Sequence, residues 1–337
     1  MKIRQPGTLI LLVLFVISLG VTLLLASCTS DNSINSNAQT KNSQLNQIKV
    51  VKIGYQPHGT FLFLKARGNL ENNLSTRGIY VEWQEFSAGP LMLAAMGEGK
   101  IDLGYGGIVP LVFAQANDVP FVYVASDSAS IGSMAIIVPK NSPIKKLTDL
   151  KNKKIAATKG TASHYLLVRA LMKAGLTPQD IEFVDLLPEK GQEAFKQKEV
   201  DAWVAWNPFL AQVQENTPIR LLTNAEGLIS DRSFYFATSS FAKNHGDIIK
   251  IVIEEANQVG IWVATHPEEA AKIMTNSTGM NPTLALKAAK SRRYEALQIQ
   301  DRAIEEQQRV AETFFRLGLL PKRIWVEDAV WKQGFSN

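Results

Sequence analysis

KKIAATKGTASHYLLVRALMKAG, residues 153–175, contains a complete transition from a strand to a helix. Its first part, KKIAAT, ends in a short apolar run that predicts a buried strand. From residue 163 onward, apolar side chains fall at positions 166, 167, 170, 171 and 174, which is the spacing of one helix face. The turn between the two is small, polar and contains glycine. This stretch therefore predicts one βα unit of an α/β fold.

The same alternation continues on both sides of this stretch. Short apolar runs alternate with helices of about ten residues, which indicates parallel sheets in an α/β fold. The pattern forms two series, so we expect two α/β lobes rather than one long sheet, with mostly helix after Asp247. The predicted strands are 50–55, 79–86, 101–106, 119–126, 153–158, 181–186, 201–206 and 219–223, and the predicted helices among them are 61–68, 90–99, 109–117, 163–175, 193–199 and 208–215.

Two further extended runs bracket the second series and connect the lobes. They are MAIIVPK at 134–140 and FYFATSS at 234–240. Two such runs let the chain cross into a second lobe and return, with a ligand cleft between the lobes and a hinge at the crossing strands. We therefore predict that lobe 1 comprises 48–137 plus 233–337, and that lobe 2 comprises 138–232.

The N-terminal region has the order of an export signal. Lys2 and Arg4 precede an uncharged run from residue 9 to residue 26, and small residues follow. Leu25-Ala26-Ser27-Cys28 resembles the lipobox of bacterial lipoproteins, in which the cysteine begins the mature chain and carries lipid such as palmitate. The next residues are rich in Ser, Asn and Gln, as in a flexible tether. We predict a signal peptide at 1–27 and a lipidated tether at 28–47; the alternative is an uncleaved membrane anchor.

Composition excludes several classes of function. Removal of residues 1–27 takes away Lys2 and Arg4, so the formal charge falls from +5 to +3, and no basic cluster remains to bind nucleic acid. Cys28 is the only cysteine, so no intramolecular disulfide is possible. We expect the folded body to be a monomer that holds no cofactor.

The usual catalytic and metal-binding motifs are absent from the sequence. It contains no Gly-x-Ser-x-Gly and no His-Glu-x-x-His, and its four histidines are not at ligand spacing. The run GYGGIV from Gly104 has Val109 where a dinucleotide fingerprint needs its third glycine. We therefore predict that the protein is not an enzyme and has no metal site.

Three strand-to-helix turns are small, polar and rich in glycine. They are SAGP at 87–90, GYGG at 104–107 and KGTASH at 159–164. Open α/β sheets bind ligands at such turns, and the unpaired N–H groups of helix starts favour an anion. The alternative for each turn is ordinary helix capping by Ser or Thr.

Several longer segments carry a family resemblance. KGTASHYLLVRALMKAGL, VDAWVAWNPF, EFSAGPLMLAAMGEGKIDLG and RSFYFA closely resemble the periplasmic aliphatic-sulfonate-binding proteins of ABC importers, from about Ile53 to Pro321. The resemblance implies a type II periplasmic-binding-protein fold and delivery of a ligand to a membrane permease. It also implies that the cleft is lined by Gln56, Ser87, Ala88, Gly89, Gly106, Gly107, Thr161, Ser163, His164, Trp206, Asn207, Phe234 and Tyr235.

A sulfonate suits such a set of residues. The group has one permanent charge on three oxygens and no proton to donate, so its pocket needs backbone N–H groups, hydroxyls and the Gln56 amide. Trp206, Phe234 and Tyr235 would cover an alkyl tail; the alternative for Phe234 is an ordinary core position. His164 either contacts the ligand or supports a residue that does.

The sequence departs from the family pattern at two positions. Relatives commonly have Thr-Gly-Asp-Ile-Pro and Trp-Asp-Pro-Tyr, where this chain has Ile108 and Asn207 in place of the acids. A buried ammonium needs acceptors or an opposite charge. The loss of two carboxylates therefore favours an uncharged tail, and we expect butanesulfonate to bind more tightly than taurine.

The most specific function that these observations support is that of a lipid-anchored solute-binding protein on the extracytoplasmic or periplasmic face. Its expected partners are a small aliphatic sulfonate, an ABC permease and the bilayer that holds the anchor. Nitrate, bicarbonate, taurine and carboxylates remain open as ligands. Two other classes also remain, namely an enzyme of the thiamine-pyrimidine synthase type on the same fold and a sensor or structural lipoprotein.

Overall fold

The computed structural model describes residues 48–130, 133–290 and 292–332. The predicted signal peptide, Cys28 and the tether lie outside the described residues, so they stay predictions. Within the described part of the chain, no helix is long and apolar enough to span a membrane.

The described residues form ten strands in two sheets of five. The first sheet has the order β2-β1-β3-β10-β4, and the second has the order β7-β6-β8-β5-β9. In chain order the strands are β1 (Val50–Tyr55), β2 (Tyr80–Glu85), β3 (Leu103–Gly107), β4 (Phe121–Ser126), β5 (Met134–Pro139), β6 (Lys154–Ala157), β7 (Glu182–Asp185), β8 (Ala202–Trp206), β9 (Ile219–Asn224) and β10 (Ser233–Thr238).

Helices follow most of these strands and continue to the C-terminal part of the chain. They are α1 (Thr60–Arg67), α2 (Asn69–Ser75), α3 (Gly89–Gly97), α4 (Ile108–Ala116), α5 (Ala162–Lys173), α6 (Pro188–Lys196), α7 (Phe209–Asn216), α8 (Ser239–Asn244), α9 (Gly246–Thr265), α10 (Pro267–Thr278), α11 (Pro282–Lys290) and α12 (Asp301–Arg316).

Both faces of each sheet are covered, which explains why several strands are apolar along their whole length. The first sheet has one core with α1, α2, α9, α10 and α11, and a second core with α3, α4 and α12. The second sheet likewise has a core on each face. Strands β5 and β10 are buried at every position but the last. A strand buried on both faces needs apolar side chains at consecutive positions rather than at alternate ones.

Each sheet is mixed, whereas the alternating pattern predicted parallel sheets. In the first sheet, β10 runs antiparallel to both β3 and β4. In the second sheet, β5 runs antiparallel to both β8 and β9. The chain leaves β4 at the edge where the parallel strands end, so the strand that enters the second sheet must run the opposite way. The return from β9 to β10 repeats this geometry.

The predicted fold class is confirmed, with two α/β sheets joined by two crossings. The exact division into lobes stays a prediction. Its first boundary, between residues 137 and 138, falls inside β5, and Met134–Ile137 already pair with β8 of the second sheet. The second boundary coincides with the first residue of β10.

Candidate functional site

A cavity lies between the carboxyl edges of the two sheets. Its volume is about 80 Å³, several times the roughly 10–15 Å³ that one water molecule requires, so it suits a small molecule. The last residues of β3 and β8 and the first residues of β5 and β10 line it, together with Gln56 just after β1 and the start of α5, which follows β6. This is the edge at which open α/β sheets bind ligands.

Seven of the thirteen residues predicted to bind ligand line this cavity, and their role in binding stays a prediction. They are Gln56, Gly89, Gly107, Thr161, Ser163, Trp206 and Asn207. The other six are not among the lining residues, namely Ser87, Ala88, Gly106, His164, Phe234 and Tyr235.

Phe234 and Tyr235, the two aromatic residues of β10 that were predicted to bind ligand, point into the cores instead of the cavity. The Phe234 ring packs against Tyr123, with 5.0 Å between ring centroids. Tyr235 packs against Tyr105 on the opposite face of the sheet, and its hydroxyl donates to the Glu295 carbonyl at 3.3 Å. Since β10 alternates between two buried faces, only its first residue, Ser233, remains at the edge to line the cavity.

The His164 side chain points away from the cavity. Its ring packs between Phe183 of β7 and Phe314 of α12, at centroid distances of 4.9 and 5.1 Å. Burial lowers the pKa of His164 to about 4, so the ring is neutral near pH 7. The histidine therefore connects the second sheet to α12, and its role in ligand binding stays a prediction.

The three glycine-rich turns do begin helices at the cavity. The residues at the N-cap positions of α3, α4 and α5 are Ala88, Gly107 and Thr161, and none of them makes a side-chain capping bond. Gly89 begins α3 so close to Pro110 that a Cβ would lie 2.5 Å from the proline Cγ. A glycine is thus required for the first turn of α3 to approach α4.

The hydroxyls of the third turn bond mainly within the turn. Thr161 donates to the Thr158 carbonyl at 2.7 Å. Ser163 accepts from the Thr158 backbone N–H at 3.2 Å and lies 2.8 Å from the Thr161 hydroxyl. These bonds fix the start of α5 against the cavity wall.

Arg292 contributes a positive charge to the cavity wall, and the sequence motifs did not indicate it. Its Nη2 donates to Asp127 Oδ2 at 2.7 Å and to the Ser233 hydroxyl at 2.8 Å. Its Nε is buried and, among the described residues, has no hydrogen-bond partner. Burial alone would lower the pKa of Arg292, but Asp127 and other neighbours raise it well above its usual value. The guanidinium is therefore charged, and its Nε–H has no acceptor within the part of the chain that the structure describes.

Asp127 is the buried counterion of this arginine. It accepts from the Tyr105 hydroxyl at 2.5 Å and from the Ser233 backbone N–H at 2.7 Å. Burial raises the pKa of Asp127, while Arg292 and these donors lower it. Four hydrogen-bonding contacts therefore hold the Arg292–Asp127 pair in one orientation at the start of β10.

Two more titratable residues line the cavity, and both were missed. The Nε2 of His58 is buried and lacks a partner within the described residues, and burial lowers the pKa of His58 to about 3. Asp231 accepts at Oδ2 from the hydroxyls of Ser130 and Ser133, and burial raises its pKa. The cavity therefore contains a cation, a neutral imidazole and a buried carboxyl group.

No sequence signal distinguishes these residues from their neighbours. Arg292 and Arg293 are adjacent and chemically identical, yet the Arg292 side chain is only 10% exposed and Arg293 is exposed. His58 and Asp231 belong to no recognised motif. Within the described residues, no group of three or more His, Cys, Asp and Glu side chains is arranged to hold a metal ion.

Comparisons with known proteins agree with this architecture. The alkanesulfonate-binding protein SsuA of Xanthomonas axonopodis pv. citri, solved with bound MOPS, is 32% identical; it superposes with a TM-score of 0.80, over 84% of this chain and 98% of that one. An Escherichia coli K12 protein named as an aliphatic sulfonates-binding protein is 32% identical over 286 residues, which is 84% of this chain and 89% of the relative. The desulfurization enzyme DszB, at 12% identity and a TM-score of 0.62, shares the fold alone.

A family model covers more than half of the chain. Residues 74–270 match the family described as NMT1/THI5 like. The chain therefore belongs to the NMT1/THI5-like family, and aliphatic sulfonate-binding proteins are among its relatives at 30% identity or more.

Proposed function

We propose that this chain is the solute-binding component of an ABC importer. In this proposal, it captures a small aliphatic sulfonate in the cavity and delivers it to a membrane permease without a chemical step. The observation that carries the proposal is the buried Arg292 guanidinium, which lines the cavity and whose Nε–H has no partner among residues 48–130, 133–290 and 292–332. A buried donor without a partner is costly, and an anionic oxygen would satisfy it with a charge-assisted hydrogen bond.

The surrounding groups suit three oxygens rather than one. The Gln56 amide and the His58 ring line the cavity beside Arg292, and the uncapped starts of α3 and α5 contribute backbone N–H groups. A sulfonate accepts hydrogen bonds in several directions and stays charged at every working pH. Trp206, Met134 and Met274 offer apolar surface for a short tail.

A ligand screen tests the proposal. Thermal unfolding of the purified protein is followed with ethanesulfonate, butanesulfonate, taurine, MOPS, nitrate, bicarbonate and acetate. A true ligand present at 100 times its Kd stabilises the folded state by about 2.7 kcal/mol, so at least one sulfonate should raise the melting temperature. Stabilisation by nitrate, bicarbonate or acetate with no response to any sulfonate would contradict the proposed ligand class.

Substitutions at the two adjacent arginines locate the binding site. Arg292→Lys keeps a positive charge for Asp127 but removes the Nε donor, so we expect sulfonate affinity to fall at least tenfold, or about 1.4 kcal/mol. Arg293→Gln removes an exposed charge next to it and serves as the matched control. Titration calorimetry measures both, and equal affinity of Arg292→Lys and the parent protein would place the anion elsewhere.

We also propose that Cys28 anchors the protein to a membrane through lipid. The sequence of the lipobox and the polar composition of residues 29–47 support this part of the proposal. Two acyl chains hold a protein to a bilayer far more firmly than one. The protein would thus stay at the extracytoplasmic surface, close to the permease.

A further inference from the structure

Asp231 lies where the two crossings of the chain meet. Its backbone pairs with Ser130 as an isolated antiparallel bridge, with the Ser130 N–H donating to the Asp231 carbonyl at 2.9 Å. The bridge joins the segment that leaves the first sheet to the segment that returns to it. Asp231 is only 6% exposed, and its side chain lines the ligand cavity.

Within the described residues, the side-chain hydrogen bonds of Asp231 use only one of its two carboxylate oxygens. Ser130 and Ser133 both donate their hydroxyls to Oδ2. No hydrogen bond to Oδ1 is made by any residue in the described part of the chain. A carboxylate has about four acceptor sites over its two oxygens, so Oδ1 remains available to a donor inside the cavity.

No cation of the described residues forms an ion pair with Asp231. Arg292 is paired with Asp127. Arg232, the next residue in the chain, is paired with Glu306 of α12 and donates to the Asp127 carbonyl. The Arg292 guanidinium therefore neutralises only one of the two acids, Asp127 and Asp231. When both acids are ionised, one negative charge beside the cavity has no compensating cation among the described residues.

With both acids ionised, this imbalance of charge disfavours a simple anion. An alkanesulfonate would satisfy Arg292 but would add a second negative charge near Asp231, and like charges in a buried site repel strongly. A ligand with an ammonium group as well as a sulfonate adds no net charge, and its N–H groups match the unused Oδ1.

We propose that Asp231 recognises the cationic end of the ligand and that the protein selects zwitterionic aminoalkanesulfonates over plain alkanesulfonates. The inference rests on the proposed function, in which the sulfonate lies at Arg292. It reverses the preference expected from the sequence, which was based on Ile108 and Asn207 in place of two acids. Ile108 is buried in the core of the first sheet and does not line the cavity, whereas Asp231 supplies a carboxylate from a position outside both motifs.

Matched ligand pairs test the inference on the unaltered protein. Propanesulfonate is taurine with a methyl group in place of the ammonium, and butanesulfonate is the same isostere of 3-aminopropanesulfonate. Titration calorimetry in one buffer at pH 7.5 should show at least tenfold tighter binding of the amino compound in one pair. Tighter binding of the plain alkanesulfonate in both pairs would overturn the inference and leave the proposed function intact.

The variant Asp231→Asn then assigns the selectivity to this residue. Asparagine keeps the shape and accepts the serine hydroxyls but carries no charge, so we expect the amino compound to bind at least tenfold more weakly and the plain compound to bind more tightly. Glu226→Gln removes an equal charge from an exposed position of the same segment and should change neither affinity.

The outcomes separate the two proposals. Binding of no sulfonate by a folded parent protein contradicts the proposed function itself. An unchanged ratio of the two affinities in Asp231→Asn contradicts only the role of Asp231. Circular dichroism verifies the fold of each variant, and if Asp231→Asn does not fold, the matched ligand pairs on the parent protein still decide whether the inference holds.

Discussion

His164 shows how a single buried side chain links acid sensitivity to the contact between the second sheet and α12. The Gly160 backbone N–H donates to its Nδ1 at 3.4 Å, and two phenylalanine rings flank it. Because burial lowers its pKa to about 4 from an ordinary value near 6.5, the unfolded chain binds a proton at this site that the folded chain rejects. Its contribution to stability is thus complete above about pH 6.5 and is lost as the pH falls toward 4.

We therefore expect His164→Gln to reduce the acid sensitivity of folding. Between pH 6.5 and pH 4, the difference in free energy of unfolding between parent and variant should shrink with falling pH by up to about 1.4 kcal/mol per unit. Urea unfolding at several pH values measures it. His266→Gln, at an exposed position, is the control. Parallel stability curves for the parent and His164→Gln would show that His164 does not contribute.

At this scale, the sequence predicted polar turns better than it predicted charged partners. Gly89, Gly107 and Thr161 belong to the predicted turns, Gln56 was implied by the family resemblance, and all four line the cavity. Arg292 was not predicted, because it approaches the cavity from a loop far along the chain, after α11. Local patterns contain no information about which distant loop reaches a site.

Among the elements, α9 determines the position of the loop that carries Arg292. Gly260 of α9 contacts the backbone at Tyr294, where an added Cβ would lie 2.3 Å from the carbonyl oxygen. Asn257 of the same helix accepts from the Ala296 N–H at 3.3 Å, and Thr60 of α1 donates to the Tyr294 carbonyl at 3.1 Å. Two helices thus hold the loop through its backbone.

We expect Gly260→Ala to disturb both stability and binding. The new methyl group meets backbone atoms that cannot rotate away, and such overpacking costs about 1–3 kcal/mol. The displaced loop should also weaken sulfonate binding, because Arg292 moves with it. Thermal unfolding and calorimetry measure the two effects. Gly97→Ala in α3 is the control, since its Cβ would lie 3.8 Å from Val119; equal stability of the two variants would show that the loop accommodates the methyl group.

The elements themselves were predictable because apolar periodicity reports which faces are buried. Strands β5 and β10 were expected as extended runs at 134–140 and 234–240, and they occur at Met134–Pro139 and Ser233–Thr238. Their antiparallel direction was not predicted, because the same apolar run occurs in buried parallel and buried antiparallel strands. Direction follows from where the chain enters a sheet, which is a property of the crossings.

For the whole molecule, the proposed anchor has a consequence that can be measured apart from ligand binding. Cys28→Ser should abolish acylation, because only a thiol accepts the lipid, and any processed chain should leave the membrane fraction. Metabolic labelling with a fatty acid and fractionation of cells measure the two effects. Ser27→Ala keeps a small residue before the cysteine and is the control. Undiminished labelling of Cys28→Ser would contradict lipidation at this residue.

The order β2-β1-β3-β10-β4 also bears on how the molecule is made. Strand β10 fills the place between β3 and β4, yet it follows β4 in the chain by more than one hundred residues, from Ser126 to Ser233. On a ribosome, the first sheet therefore stays open in the middle until the whole second sheet has emerged, and the second sheet, continuous in sequence, can close first. A nascent chain that stops before Ser233 exposes the edges of β3 and β4 to other chains.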